Sequence, residues 1–425
     1  MRNKIKHKLQ SFLAWSARRI LAKYHPKIIG ITGSVGKTST KEAIFGVVSQ
    51  KFRTRKSEKN YNNEFGLPLT IIGASSSEKG IAGWLAAVGK ALFLILFSQK
   101  YPQVLVLEMG IDRPGDMDYL LSLTGEPDIA VVTTIGMSHY EFFSDPGEIE
   151  TEKGKLIAAV KSEGTAILNA DNEASLRQKS KTSAKVVTYG ASSDADVALQ
   201  NLSENLEGKF YSHLVIKLAS GEFEANIAAI GGTHISAVLA AVAVGQALGI
   251  EESLLKVGLQ NYRPAPGRLN IIAGIKHSVI IDDSYNAAPD SVKEALAVLA
   301  RMPNSHKIAV LGNMLELGAV SDSAHEAMGR ETAKLGLDHL ITVGDEAKLL
   351  ADAAHSSGMA EDKILKFDTS DEARKTVQNL LKPESVILVK GSQAIRTEKI
   401  VKEIMAEPMR ASELLCRQYG SWLRS

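Results

Sequence analysis

The sequence predicts an α/β protein with two successive sheets: a central unit on a mainly parallel sheet, then a C-terminal Rossmann-like α/β unit. Three observations predict it. From Lys27 onward, short β-rich runs (KIIGITG, QVLVLEMG, DIAVVTTIG, GTAILNA) alternate with helical patterns, the sequence form of parallel strands joined by crossover helices. The segment NYRPAPGRLN, with two prolines and a glycine, interrupts this series as a hinge would. A second series follows: SVIIDDSYN, KIAVLGNM, HLITVGD and SVILVKGS. Each of its strands ends in a polar or glycine-rich turn, the edge where open α/β sheets usually hold ligands.

In chain order, residues 1–26 are basic, with Ile5, Leu9, Phe12, Leu13, Ile20 and Leu21 at roughly helical spacing, and predict an amphipathic helix. Arg18 and Arg19 cut the apolar stretch and no small-residue cleavage site follows, which argues against a secretory signal. Residues 27–262 form the expected central unit and 263–425 the C-terminal one. Inside the first, Trp84 to Phe97 is apolar, but Lys90 interrupts it and it falls short of the roughly 20 residues that span a bilayer. Two readings of these basic-flanked apolar segments stand: helices packed on the domain, or peripheral contact with an anionic membrane face. Between Ala184 and Ala229 the pattern turns polar and alternating (FYSHLVIKL, EFEANIAAI), predicting a few antiparallel strands added to the same unit. A helical run from His234 to Leu248 follows.

The composition is that of a globular chain of two or three domains: 425 residues, 44% hydrophobic. Lys+Arg at 50 against Asp+Glu at 48 is too balanced for a protein that neutralises nucleic-acid phosphates broadly, so no nucleic-acid partner is expected. Cys416 is the single cysteine, which excludes an internal disulfide or a thiolate metal cluster and fits a reducing cytoplasm.

The strongest local signal is IIGITGSVGKTSTKEAI: a strand, a tight loop from Gly33 to Lys37, then a helix from Thr38. Gly33 and Gly36 let backbone N–H groups converge on phosphate oxygens, Lys37 supplies a point charge and Thr38 a hydroxyl for Mg²⁺, and Ser34 and Ser39 are further expected cofactor-binding positions of the loop. The central unit therefore reads as a P-loop ATPase domain, with ATP as the expected cofactor. Ile31 stands where the standard spacing has glycine, so this is a variant of the loop.

With that loop, and with NYNNEFGLPLT, LEMGIDRPGD, IGMSHYEFF, EKGKLI, LNADNE, PGRL, IDDSYNAAPDS, LGNMLELG and VKGSQAIRTEK, the chain resembles the Mur ligase family from about Lys27 to the C-terminal region. The NNEFGLPLT, DDSYNAAPDS and LGNMLELG blocks are most similar to the member that adds D-alanyl-D-alanine to UDP-N-acetylmuramoyl tripeptide. The resemblance implies an ADP-forming ligase in which a carboxylate takes the γ-phosphate of ATP and an amine attacks the acyl phosphate. It implies two Mg²⁺ ions held by Thr38, Glu108, His139 and Lys153, the last carried as a carbamate. The alternative reading of Lys153 is a solvated helix lysine with neighbours Glu152 and Lys155. Arg268 resembles the arginine that reaches the ATP phosphates, and Asp283 and Asn286 lie in the block expected near the ribose. Asn62, Asn63, Lys390 and Ser392 resemble substrate-side positions, with Gly391 between the last two, although Asn62 and Asn63 could equally cap a turn. Glu316 and His325 could serve the same pocket or stabilise a helix start.

The pattern is broken in places. Family members of this type carry a UDP-sugar domain before the loop, and about 27 residues here leave no room for one. Thr134, Ala288, Asn313 and Gln393 replace residues common in the family. Two alternatives follow: the same chemistry on another carboxylate acceptor, or a nucleotide-gated scaffold. The leading expectation is a cytoplasmic, monomeric ligase of peptidoglycan precursors, with UDP-sugar peptide and dipeptide as partners, positioned at the inner face of the membrane if its N-terminal helix makes contact there.

Overall fold

The computed structural model describes residues 2–58, 63–74, 80–136 and 140–423. The first nine strands are β1 (Lys27–Thr32), β2 (Thr54–Lys56), β3 (Val104–Glu108), β4 (Ile129–Val132), β5 (Thr165–Asn169), β6 (Lys185–Gly190), β7 (Val197–Asn205), β8 (Tyr211–Leu218) and β9 (Gly221–Ile227). They form one sheet in the order β2-β3-β1-β4-β5-β6-β7-β8-β9. The pairs from β2 to β7 are parallel. Of the stretch from Ala184 to Ala229 expected to add antiparallel strands, β7–β8–β9 do so, whereas β6 continues the parallel sheet, pairing parallel with both β5 and β7.

The helices of this unit are α1 (Arg2–Tyr24), α2 (Lys37–Val48), α3 (Gly66–Ile72), α4 (Gly80–Leu96), α5 (Asp116–Thr124), α6 (Pro146–Ala158), α7 (Glu173–Arg177), α8 (Gly232–Ala247) and α9 (Glu252–Gln260). Successive strand side chains point to opposite faces, and the central strands are apolar on both. Ile29, Ile31, Val106 and Val131 join the core under α2, α8 and α9, whereas Ile28, Leu105, Leu107 and Val132 join the core under α1, α3, α4 and α5. Helix α1 buries Leu13, Ala17 and Ile20 in the second of these cores. Among the described residues no helix is long and apolar enough to cross a membrane.

The second sheet contains β10 (Asn270–Ala273), β11 (Val279–Asp283), β12 (Lys307–Gly312), β13 (His339–Val343), β14 (Ile364–Phe367) and β15 (Val386–Lys390), in the order β10-β11-β15-β12-β13-β14. Only β10 runs antiparallel to its neighbour. Its flanking helices include α10 (Pro289–Arg301) and α11 (Ser321–Ala333). Three strands escape the sequence reading: β2, β10 and β14. Each is an edge strand of three or four residues that is not fully buried, so none shows the long apolar run that marks a central parallel strand. The C-terminal ends of β1, β3, β11 and β15 open on one shared cavity.

Candidate active site

The cavity has a volume of about 660 Å³, and its first wall is the loop from Ser34 to Ser39. That loop is held from outside. Ser34 N–H donates to the Thr134 carbonyl at 2.5 Å, Thr133 Oγ1 donates to the Val35 carbonyl at 2.7 Å, and Ser34 Oγ exchanges hydrogen bonds with the backbone of Gly136. Two glycines are required here. Gly36, at φ +87°, takes the left-handed conformation just before α2, and a Cβ on Gly33 would sit 1.9 Å from Thr133 Oγ1.

Helix α2 begins at Lys37, so its first N–H groups and the positive end of its dipole face the cavity. Lys37 Nζ donates to the carbonyls of Gly33 (2.7 Å) and Ser34 (3.2 Å). Burial lowers its pKa, the Glu108 carboxylate works against that shift, and Arg268 adds to it. Thr38 Oγ1 donates to Glu108 at 3.2 Å, and Lys41 Nζ lies 3.4 Å from the same carboxylate. Lys153 on α6 is buried, with Nζ 3.2 Å from the Gly33 carbonyl. Burial first, and the Lys37 charge second, push its pKa well below the ordinary lysine value.

The opposite wall comes from the second sheet. The Arg268 guanidinium stacks 3.9 Å from the Tyr285 ring centroid, and its backbone carbonyl accepts from His234 Nε2 at 2.9 Å. Asp283 and Lys390 form a buried ion pair at 2.5 Å; Lys390 also donates to the Asn286 carbonyl at 2.9 Å. Ser392 Oγ accepts from Leu315 N–H at 2.9 Å and lines the cavity beside Asn286.

A second cavity of about 560 Å³ adjoins the first, sharing Asn63, Gly110, Asp112 and Glu316 with it. Asn63 Oδ1 accepts from the N–H groups of Phe65 and Gly66, so it caps the start of α3 as well as lining both cavities. The Glu316 carbonyl accepts from Glu141 N–H across the cleft, with Glu316 at φ +66°. His325 takes the structural alternative. Its Nε2 accepts from Met314 N–H and its Nδ1 donates to the Ser321 carbonyl, which fixes the LGNM turn from behind. His139 and Asn62 lie outside the described residues.

Sequence reasoning passed over several lining residues. Glu294 of α10 accepts from both the N–H and the hydroxyl of Thr233 at the N-terminus of α8, joining the two units. Asp112 sat inside a recognised block without being singled out; Tyr285, Arg396 and Trp422 complete the second wall.

A P-loop on one sheet facing an arginine, an ion-paired lysine and a serine on another defines a two-unit, nucleotide-using ligase. The comparisons agree. Residues 31–245 match the Mur ligase middle domain and residues 267–393 the Mur ligase, glutamate ligase domain. The chain belongs to the Mur ligase family. It is 29% identical over 394 residues to the UDP-N-acetylmuramoyl-tripeptide--D-alanyl-D-alanine ligase of Bacillus subtilis, covering 92% of this chain and 79% of the relative. Among solved structures it is similar to MurF from Acinetobacter baumannii (TM-score 0.77, 26% identity, 95% of this chain and 80% of the other). It is also similar to MurF ligase from Thermotoga maritima in complex with ADP (TM-score 0.76, 27% identity, 93% and 83%).

Proposed function

We propose that this chain is the ATP-dependent ligase that joins D-alanyl-D-alanine to UDP-N-acetylmuramoyl tripeptide. The observation that carries this reading is the single cavity in which the loop Ser34–Ser39 faces Arg268, Asp283 and Lys390. A substrate carboxylate oxygen attacks the γ-phosphorus of ATP and ADP leaves. The amino nitrogen of the dipeptide then attacks the acyl carbon, phosphate departs and the nitrogen loses its proton, giving amide, ADP and phosphate. Lys37, Arg268 and the N-terminus of α2 offset the negative charge that gathers when two anions meet. Gly33, Ser34, Gly36 and Ser39 shape the phosphate cradle, with Asp283 and Asn286 on the nucleoside side and Asn62, Asn63, Lys390 and Ser392 on the substrate side. The units 27–262 and 263–425 close on one another to exclude water from the acyl phosphate.

The donor set suits Mg²⁺. The Thr38 hydroxyl and the Glu108 carboxylate are hard oxygen ligands side by side on the cavity wall. His139 and Lys153 complete the proposed ligands, and Lys153 fits the carbamate role because its lowered pKa favours the free amine that adds CO₂. Bound Mg²⁺ would supply charge neutralisation at the phosphoryl oxygens. The reading includes a monomer working in the cytoplasm, where ATP and UDP-linked precursors occur.

The test is incubation with ATP, Mg²⁺, bicarbonate, the UDP-linked tripeptide and D-alanyl-D-alanine, following ADP and the pentapeptide by mass spectrometry. Stoichiometric product is expected. Absence of product from folded, ATP-binding protein rejects the acceptor assignment.

A further inference from the structure

Helix α4 is apolar on its outer as well as its inner face. Ala87, Ala91 and Leu94 are buried in the core with half-buried Trp84 and Ile95 packed beside them, whereas the large side chains of Leu85, Leu92, Phe93, Leu96 and the adjoining Phe97 are exposed. Leu85 is 67% exposed and Leu96 71%. Among the described residues eleven large apolar side chains are exposed, and five of them fall between Leu85 and Phe97. Exposed apolar residues scattered singly are ordinary; a contiguous stripe at helical spacing marks a docking surface.

The charge around the stripe is predominantly positive. Helix α1, packed beside α4, contributes Arg18, Arg19 and Lys23 and contains no Asp or Glu, and Lys90 and Lys100 lie on or just after α4, with Glu58 the acidic group that acts on Lys90. Lys23 Nζ donates to the carbonyls of Leu94 and Ile95, and Tyr24 OH to that of Leu94, so the end of α1 holds the end of α4. Exposed Arg18 and Arg19 lie on α1 with half-exposed Trp15, Arg19 sitting 5.7 Å from the Trp15 ring.

We propose that the α1–α4 face docks on an anionic phospholipid bilayer, with Leu92, Phe93, Leu96 and Phe97 entering the acyl boundary and the α1 cations meeting the headgroup phosphates. An apolar stripe rimmed by Lys and Arg is the pattern of an interfacial helix. With 17 residues α4 measures about 25 Å, too short to span the hydrocarbon core and suited to lying on it. A second copy of the chain fits worse, because a two-fold contact would set the same row of cations against itself. The proposal does not depend on the ligase reading.

The test is co-sedimentation of the purified chain with phosphatidylcholine vesicles, with or without about one-third phosphatidylglycerol. Anionic vesicles should retain the protein at least about tenfold better than neutral ones, with the difference shrinking at high salt. The triple substitution Phe93→Ser, Leu96→Ser, Phe97→Ser should lower anionic-vesicle binding about tenfold, as should Arg18→Glu with Arg19→Glu, with thermal melting confirming the fold. The lipid and salt comparison on unaltered protein stands even if a variant fails to fold. Equal binding to both vesicles, or none, overturns the proposal. So does a dimer, seen by light scattering, that the serine substitutions dissolve while vesicles bind nothing.

Discussion

Asp283 and Lys390 end adjacent parallel strands in direct register, and their side chains close a buried ion pair at 2.5 Å on the lip of the cavity. The pair therefore fixes the lip of the second sheet, and Asp283 also accepts from Leu269 N–H, one residue after Arg268. Removing one partner leaves the other charge buried alone. Asp283→Ala or Lys390→Ala should each cost about 3–5 kcal/mol of unfolding free energy in urea, and the double substitution should cost less than the sum of the two. Additive losses would show the two residues to be energetically independent.

Lys37 behaves differently because burial already disfavours its charge. Lys37→Ala should leave the melting temperature unchanged or slightly raised while ATP-dependent product formation falls at least about 100-fold. A cooperative loss of stability in that variant would mean that its bonds to the Gly33 and Ser34 carbonyls hold the loop, not the phosphate.

Lys153 should depend on dissolved CO₂. Product formation in bicarbonate-free buffer should drop and recover on adding bicarbonate, and carbon-13 bicarbonate should give a carbamate signal that Lys153→Arg abolishes. Arginine keeps the charge but cannot form the carbamate. Full activity in Lys153→Arg would reject the modification.

His234 is completely buried between Tyr262 and the Arg268 carbonyl, and burial holds its pKa down to about 4. The unfolded imidazole, at about 6.5, binds a proton first as pH falls. Its contribution to stability is thus intact above about pH 6.5 and is lost progressively toward pH 4, on the order of 3 kcal/mol in all. Urea titrations across that window should show the slope, and His234→Gln should flatten it. An unchanged slope would assign the acid sensitivity to other groups.

How much of this was legible in the sequence depends on the range of the interaction. The phosphate loop is contiguous, so strand, glycines, lysine and helix could all be read from residues 28–44. The central strands announced themselves through unbroken apolar runs. The Asp283–Lys390 pair could not be read, because its partners lie 107 residues apart and meet only through the register of β11 on β15. Glu294 looks like any helix-surface glutamate until α10 brings it to Thr233 on the other unit. His325 carried the same ambiguity, and only the Met314 N–H pointing at its ring resolves it. The two apolar segments near the N-terminus were seen as helices, but the sequence did not separate the buried face of α1 from the outward stripe of α4.

The bracing of Ser34 and Val35 by Thr133, Thr134 and Gly136 bears on how tightly a nucleotide can be held. A loop that had to be ordered by its ligand would deduct roughly 1–2 kcal/mol of backbone entropy per residue from the affinity. Here the neighbouring strand end has already done that ordering. The contacts a triphosphate makes with the loop count almost in full toward its residence time, and a substitution at Thr133, which touches no phosphate, should show itself as faster nucleotide release.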